Sequence, residues 1–294
     1  MTSSEAEFRP TADDMADAKL NIPYPGRQSE MDPQPDSDLS NYLAAGKLRG
    51  RSTLITGADS GIGRAVAVAF AMEGASVAIL YNANDEDAEE TRRMVEARGA
   101  RCLVIKADVR QTAECEAAVE RVVSEFGALD VLVNNAAYQM QQPSLTDVTD
   151  EQFERTLMTN IGGVFRMTRA ALPHLQGGAS IINTGSIVGE VGNPGLVDYT
   201  ASKGAIHAFT KSMAAQLGPR NIRVNVVAPG PVWTPNIPGT MSEDEVRVFG
   251  GETPMARPGQ PEEIAPAYVY FASNDSTFTT GSILEITGGK TSNS

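Results

Sequence analysis

Thr56-Gly57-Ala58-Asp59-Ser60-Gly61-Ile62-Gly63 is the stretch that decides how this chain folds. A short β-type run, Ser52–Thr56, leads into it, and a run of small and apolar residues, Ile62–Met72, leads out. Strand, glycine turn and helix in that order form a phosphate-binding unit. The first glycine permits the positive φ of a tight turn. The second lets the backbone approach a pyrophosphate, and the third lets the helix pack close to the strand. The free N–H groups at the start of the helix then point at the anion. The spacing is Gly-x-x-x-Gly-x-Gly, not the Gly-x-Gly-x-x-Gly of the general dinucleotide fingerprint. A purely structural strand-to-helix turn could use the same glycines. The place of the trio, after the first strand and before a small-residue helix, favours phosphate.

Downstream the same alternation repeats. Val77–Tyr81, Cys102–Lys106, Val131–Val133, Ser180–Thr184, Val224–Val227 and Ile283–Ile286 read as strands. Between them, Asp85–Arg98 reads as a charged helix stopped at Gly99, and Thr112–Phe126 as one stopped at Gly127. A long helix starts at Thr149, with Gln152 in the capping-box position. Strands alternating with helices predict an α/β fold, a doubly wound parallel sheet of about seven strands with helices on both faces. The strands are nearly all apolar, as expected of strands buried on both sides. Residues 47–294 read as one domain with no internal repeat. Residues 1–46 differ: Pro10, Pro23, Pro25, Pro33 and Pro35 stand among acids and serines. They predict an extended or disordered arm, either a plain tail or one that packs on a neighbouring subunit through Tyr24, Met31 and Tyr42.

The bulk composition excludes several classes. The net charge of −13 argues against a nucleic-acid backbone or an anionic membrane surface as partner. No apolar run has the length of a membrane span, and no signal-peptide pattern opens the chain. The two cysteines, Cys102 and Cys115, lack metal or dithiol spacing and fit a reducing compartment. The expectation is a soluble cytoplasmic protein without a metal.

A second signal is Tyr199-Thr200-Ala201-Ser202-Lys203. Residues four apart share a helix face, so Lys203 can lie beside the Tyr199 phenol. A free phenol, with a pKa of ~10, ionises too weakly for proton transfer at neutral pH, and a nearby ammonium corrects this. Ser186, just past the strand Ser180–Thr184, would stand at the carboxyl edge of the sheet, where it can hold a substrate oxygen.

Taken together these pieces resemble the short-chain dehydrogenase/reductase family. The match runs from about Lys47 to Gly289 and rests on Thr56-Gly57-x-x-x-Gly61-Ile62-Gly63, Asn134-Asn135-Ala136, Asn160, Ser186, Tyr199-x-x-x-Lys203 and Pro229-Gly230, in family order and spacing. The resemblance implies a Rossmann-type domain, an NAD(P) cofactor and hydride transfer to or from an alcohol or carbonyl substrate. It implies Tyr199 as general acid/base, Ser186 to orient the substrate oxygen and Lys203 to lower the tyrosine pKa and hold the nicotinamide ribose. Asn160 would bind a relay water. Gly57, Asp59, Ser60, Gly61, Ile62 and Gly63 would hold the phosphates, with Tyr81 and Asn82 at the adenosine ribose. Asp108 and Val109 would contact the adenine, and Asn134 and Ala136 would lie along the cofactor. Pro229, Gly230, Val232 and Thr234 would fix the nicotinamide end. Ala137 stands where the family often has glycine. Tyr24-Pro25-Gly26 and Glu30-Met31-Asp32-Pro33-Gln34-Pro35 further resemble a bacterial subgroup of general-stress and glucose-starvation-inducible oxidoreductases. A homotetramer would follow from the family pattern.

The position after the second strand, Asn82-Ala83-Asn84, carries neither acid nor base, and the lack of a cation there favours NAD slightly over NADP. The Pro- and Gly-rich stretch 234–260 is where the family has its substrate lid, with Ile237, Met241, Val246 and Phe249 as its apolar face. Tyr138, Gln139, Glu190 and Val191 are further pocket candidates. Trp233 either covers the cofactor or packs; His174 and His207 read as surface or packing residues. Two other readings compete with an oxidoreductase: a non-catalytic dinucleotide-binding sensor or assembly subunit, and an epimerase or dehydratase. The intact Asn160, Ser186, Tyr199 and Lys203 set weighs against the first. The chain's end soon after Gly289 weighs against the second, whose members usually carry a larger C-terminal domain.

Overall fold

A computed structural model describes residues 21–291. Seven strands form one parallel sheet: β1 (Ser52–Thr56), β2 (Ser76–Tyr81), β3 (Cys102–Lys106), β4 (Val131–Asn134), β5 (Ser180–Thr184), β6 (Arg223–Pro229) and β7 (Ile283–Ile286), in the spatial order β3-β2-β1-β4-β5-β6-β7. The sixth strand runs longer than its apolar residues suggested. Arg223 is buried at its start, and Pro229 is tolerated at its end beside Ile286.

Side-chain alternation sorts the core into two layers. Ile55, Val77, Ile79, Val133 and Ile182 point to one face, packed by α1 (Gly61–Met72) and α9 (Pro261–Ala272). Leu54, Ala78, Leu80, Leu132 and Ile181 point to the other, packed by α3 (Thr112–Phe126), α4 (Asp150–Ala171) and α6 (Val197–Leu217). α2 (Asp85–Ala97) lies beside α1, and the one-turn α5 (Val188–Val191) lies against α6. At the start of α4, Thr149 accepts the Gln152 N–H, but the Gln152 side chain turns inward to Met140 and Asp198 rather than completing a capping box. The strand order reverses between β1 and β4, which opens a crevice at their carboxyl ends.

The first twenty residues of the arm, Pro10 among them, and residues 292–294 lie outside the described residues. Residues 21–46 lie on their own domain and contain only one short turn of 3-10 helix, Gln28–Glu30. Leu39 joins the α1 face of the core. Ile22 and Met31 form a separate cluster with Trp233, Ile237 and Val246.

Candidate active site

Tyr199, Lys203 and His207 stand one turn apart on α6, so one helix face aims all three toward the end of β5. Lys203 Nζ donates to the Thr184 carbonyl at 2.7 Å and lies 5.3 Å from the centre of the Tyr199 ring. Ser186, two residues beyond Thr184, stands close enough to Tyr199 to lower its pKa slightly. Burial dominates the electrostatics of both α6 groups. It pushes the Tyr199 phenol up to about 12, against a smaller lowering from Ser186, and it drives Lys203 down to about 7. The sequence predicted that Lys203 would lower the tyrosine. In this geometry the ammonium is bonded to a backbone carbonyl, and desolvation outweighs it.

Asn160 stands behind the site and does not border the cleft. It is fully buried on α4. Its Oδ1 accepts the Tyr138 N–H at 2.7 Å, and its Nδ2 donates to Tyr138 O and Ser202 Oγ, each at 2.9 Å. Both amide hydrogens are committed, which leaves one lone pair of Oδ1 for a water. Asn160 thus pins the loop after β4 to the helix that carries Tyr199.

Tyr199, Ser186 and Lys203 border a cleft of about 460 Å³ over the carboxyl ends of the strands. This size suits a small-molecule or cofactor site. Gly57, Asp59, Ser60, Gly61 and Ile62 form one end of its wall. Gly57 and Gly61 hold φ at +62° and +53°, conformations that side chains disfavour. Ser60 gives α1 no side-chain cap, so its first-turn N–H groups stay open to an anion, except that of Gly61, which donates to Gln28. A pyrophosphate fits this turn. Tyr81, Asn82, Asp108 and Val109 continue the wall on one side, and Ala136, Pro229, Gly230, Val232 and Thr234 on the other.

Two expected contacts are corrected. Gly63 does not border the cleft; a Cβ there would lie 2.1 Å from Gly57 O, so its role is close packing of α1 on the turn. Asn134 faces the opposite layer, where its Nδ2 donates to Asn183 Oδ1 at 2.8 Å and to Thr168 Oγ1 at 3.2 Å. Strand alternation puts the next residue at the cleft instead: Asn135 donates through Nδ2 to Thr56 O and Gly57 O and ties β4 to the glycine turn.

Tyr138 and Gln139 line the cleft, as do Ile237, Met241 and Phe249 of the lid, which holds the short helices α7 (Asn236–Thr240) and α8 (Glu243–Arg247). Val246 lies behind them, buried against Trp233. Glu190 and Val191, also expected at the pocket, are not part of its wall. Glu190 Oε1 instead meets His207 Nδ1 at 2.6 Å, and Val191 is exposed. His207 is buried, and burial lowers its pKa. Trp233 is fully buried away from the cleft, and its Nε1 donates to Pro33 O at 2.9 Å.

Several wall residues were not expected at the cleft. Tyr24, Pro25 and Gly26 of the arm border the cleft, with Asn84, Arg110 and Arg155. An irregular segment carries no periodicity to show where it docks. Asn84 precedes α2 without capping it; its side chain donates to Gly26 O at 3.0 Å. Among the described residues no helix is long and apolar enough to cross a membrane, and no side-chain cluster could hold a metal ion.

Comparison with known proteins supplies the wider context. Residues 57–291 match the family model described as enoyl-(acyl carrier protein) reductase. General stress protein 39 of Bacillus subtilis is 52% identical over 272 residues, 92% of this chain and 95% of the relative. Glucose and ribitol dehydrogenase of Daucus carota is 48% identical over 271 residues, 90% and 93% of the two chains. Among solved structures, a short-chain dehydrogenase of Burkholderia cenocepacia in complex with NADP superposes with a TM-score of 0.79 at 34% identity, covering 84% of this chain and 100% of that one.

Proposed function

The chain belongs to the short-chain dehydrogenase/reductase family and is an NAD(P)-dependent oxidoreductase, and from that premise we propose that Tyr199 is its general acid/base, with Ser186 and Lys203 as its partners. One observation carries this reading: Tyr199 and Ser186 share the cleft wall, with the Lys203 ammonium 5.3 Å from the centre of the Tyr199 ring.

Bound in the cleft, a nicotinamide dinucleotide supplies or accepts the hydride. The protein's own groups handle the oxygen and its proton. Ser186 and Tyr199 hold the substrate oxygen between them. In alcohol oxidation the Tyr199 oxygen takes the hydroxyl proton, and in carbonyl reduction it returns one. The Lys203 charge, 5.3 Å from the ring, favours the phenolate but does not offset its burial. Oxidation needs the phenolate and speeds up as pH rises toward the tyrosine's range, whereas reduction needs the phenol and slows. The wall residues of the glycine turn hold the phosphates, Tyr81 and Asn82 the adenosine ribose, Asp108 and Val109 the adenine, and Pro229, Gly230, Val232, Thr234 and Ala136 the nicotinamide side.

For the cofactor we favour NAD over NADP. Three cations near the adenosine side are already engaged: Arg110 by Asp108 at 2.6 Å, Lys106 by Asp85 at 2.7 Å and Arg64 by Asp87 at 3.2 Å. Asp59 adds an acid beside the turn. Tighter binding of NADPH than of NADH would overturn this preference. A homo-oligomer, by family pattern a tetramer, is supported by the exposed apolar side chains Phe153, Met158 and Phe165 on α4, and light scattering that finds a monomer would refute it. A cytoplasmic location fits the two isolated thiols.

The test is an assay of sugar alcohols, aldoses, aldehydes and ketones with both cofactors. A Tyr199→Phe variant should lose ~10²–10⁴-fold in kcat while still binding cofactor. Full activity in that variant would refute the tyrosine assignment. Cofactor binding without turnover of any substrate would favour the sensor reading.

A further inference from the structure

The N-terminal arm is fastened to both walls of the cofactor cleft. On the adenosine side, Asn84 Nδ2 donates to Gly26 O at 3.0 Å. The Gln28 N–H donates to Asp87 Oδ2 at 2.8 Å, and Gln28 Oε1 accepts the Gly61 N–H at 2.8 Å, the first amide of α1. Gln28 itself is buried, with its Nε2 bonded to Ser37. On the lid side, the Ile22 N–H donates to Pro238 O at 3.3 Å, and Trp233 Nε1 donates to Pro33 O. Ile22 and Met31 share one apolar cluster with Trp233 and the lid residues Ile237 and Val246. Gly26 presses so closely on the lid that a Cβ would lie 2.6 Å from Pro235 O. Between these fastenings, Tyr24, Pro25 and Gly26 form part of the cleft wall itself. The Tyr24 ring meets Tyr138 edge-on at 5.3 Å, and the Arg155 guanidinium lies over both rings.

We propose that residues 22–37 are a clasp that completes the dinucleotide site: Tyr24-Pro25-Gly26 forms its outer wall, and cofactor enters and leaves only when the clasp lifts. A stabilising tail would need one anchored surface. This segment has two, on opposite sides of the cleft, and one of them is the phosphate turn. Because the same few residues hold the lid and the turn, opening the lid and releasing the cofactor become linked events. The inference needs only the dinucleotide site and stands independently of the tyrosine assignment.

The chain's single tryptophan is the reporter, since Trp233 is buried beneath the clasp and bonded to it. The full-length protein is loaded with NADH or NADPH, whichever binds tighter. Cofactor release is followed by stopped-flow dilution, and iodide quenching of tryptophan emission is read on the same samples. Two variants are compared with wild type: Gly26→Val, which forces the clasp off the lid, and Asn84→Ala, which frees its other edge and disturbs no packing at the lid. We expect Trp233 to become quenchable in Gly26→Val and release to quicken by at least about tenfold, with a smaller gain of the same sign in Asn84→Ala. Release rates within about twofold of wild type, in a variant whose tryptophan has become quenchable, would overturn the clasp. So would a Gly26→Val protein with its tryptophan still shielded. If Gly26→Val does not fold, Asn84→Ala decides with both readouts: quicker release with a newly quenchable tryptophan supports the clasp, whereas an unchanged rate, or quicker release with the tryptophan still shielded, refutes it.

Discussion

The two walls of the cleft are built on different principles. The inner wall stands on strand ends and long helices. Tyr199 and Lys203 ride on the 21-residue α6, Ser186 follows a fully buried strand, and Asn160 locks the loop behind them through three hydrogen bonds. The outer wall is residues 21–46 and the lid at 234–260, irregular chain with one 3-10 turn and two five-residue helices. Isolated hydrogen bonds of mixed kind, the small Ile22–Met31 cluster and Leu39 hold it. The two walls divide the labour. Chemistry needs groups fixed by many redundant contacts, whereas traffic through the cleft needs a wall whose few contacts can break together. Perturbing the inner wall should therefore change turnover and leave the outer wall in place, and the reverse should hold as well.

The largest effect is expected at Lys203. Lys203→Ala removes the ammonium beneath the phenol and should lower kcat by ~10²–10⁴-fold, with Trp233 emission unchanged. A shift in emission would show that the two walls are not separate. Next comes Gly63→Ala. Its added methyl would meet Gly57 O at 2.1 Å, a backbone atom that can move only if the turn moves. Overpacking of this kind costs about 1–3 kcal/mol, read as a lower denaturation midpoint, and should also weaken cofactor binding. Wild-type stability would mean that α1 can slide on β1, and that the inner wall is softer than its contacts suggest.

How much of this was legible in the sequence follows the same division. The sheet, its helices and the Tyr199–Lys203 pair came from periodicity and helix geometry, because buried strands and i, i+4 faces write themselves into local sequence. Asn134 was misplaced for Asn135 because a motif names residues without their orientation. The strand period resolves it, since Asn134 shares its layer with Leu132. Gly63 was taken for a phosphate contact because a conformational need and a packing need select the same residue. The docking of the arm was not legible. Gln28 reaches Gly61 across 33 positions and Trp233 reaches Pro33 across 200, and no local pattern encodes such pairings.

Asp59 offers a test by pH at the junction of the two walls. Burial, and to a lesser degree the Asp87 charge, raise its carboxyl from 3.8 to about 6. A group raised on folding favours the native state in its protonated form. The native protein binds more protons than the unfolded chain between about pH 4 and 6. Stability from this site is therefore full below pH 4 and is lost as pH rises through 6. Asp59→Asn keeps the size and removes the titration. It should match wild type near pH 4 and exceed it by about 3 kcal/mol at pH 7, in denaturant unfolding at each pH. Parallel curves for the two proteins would show that Asp59 pays no burial cost.

The smallest expected effect lies at the outer wall. Trp233→Phe keeps an aromatic ring in the Ile22–Met31 cluster and deletes one hydrogen bond, that to Pro33 O. The loss of one neutral bond costs about 1 kcal/mol. If the arm were held by its apolar contacts alone, the substitution would leave both thermal midpoint and cofactor release unchanged. If the bond is one of the few that fasten the outer wall, release should quicken about two- to fivefold while kcat with saturating cofactor stays at the wild-type value, because the bond is remote from Ser186 and Tyr199. A fall in kcat without a change in release would place Trp233 with the inner wall and erase the distinction between the two.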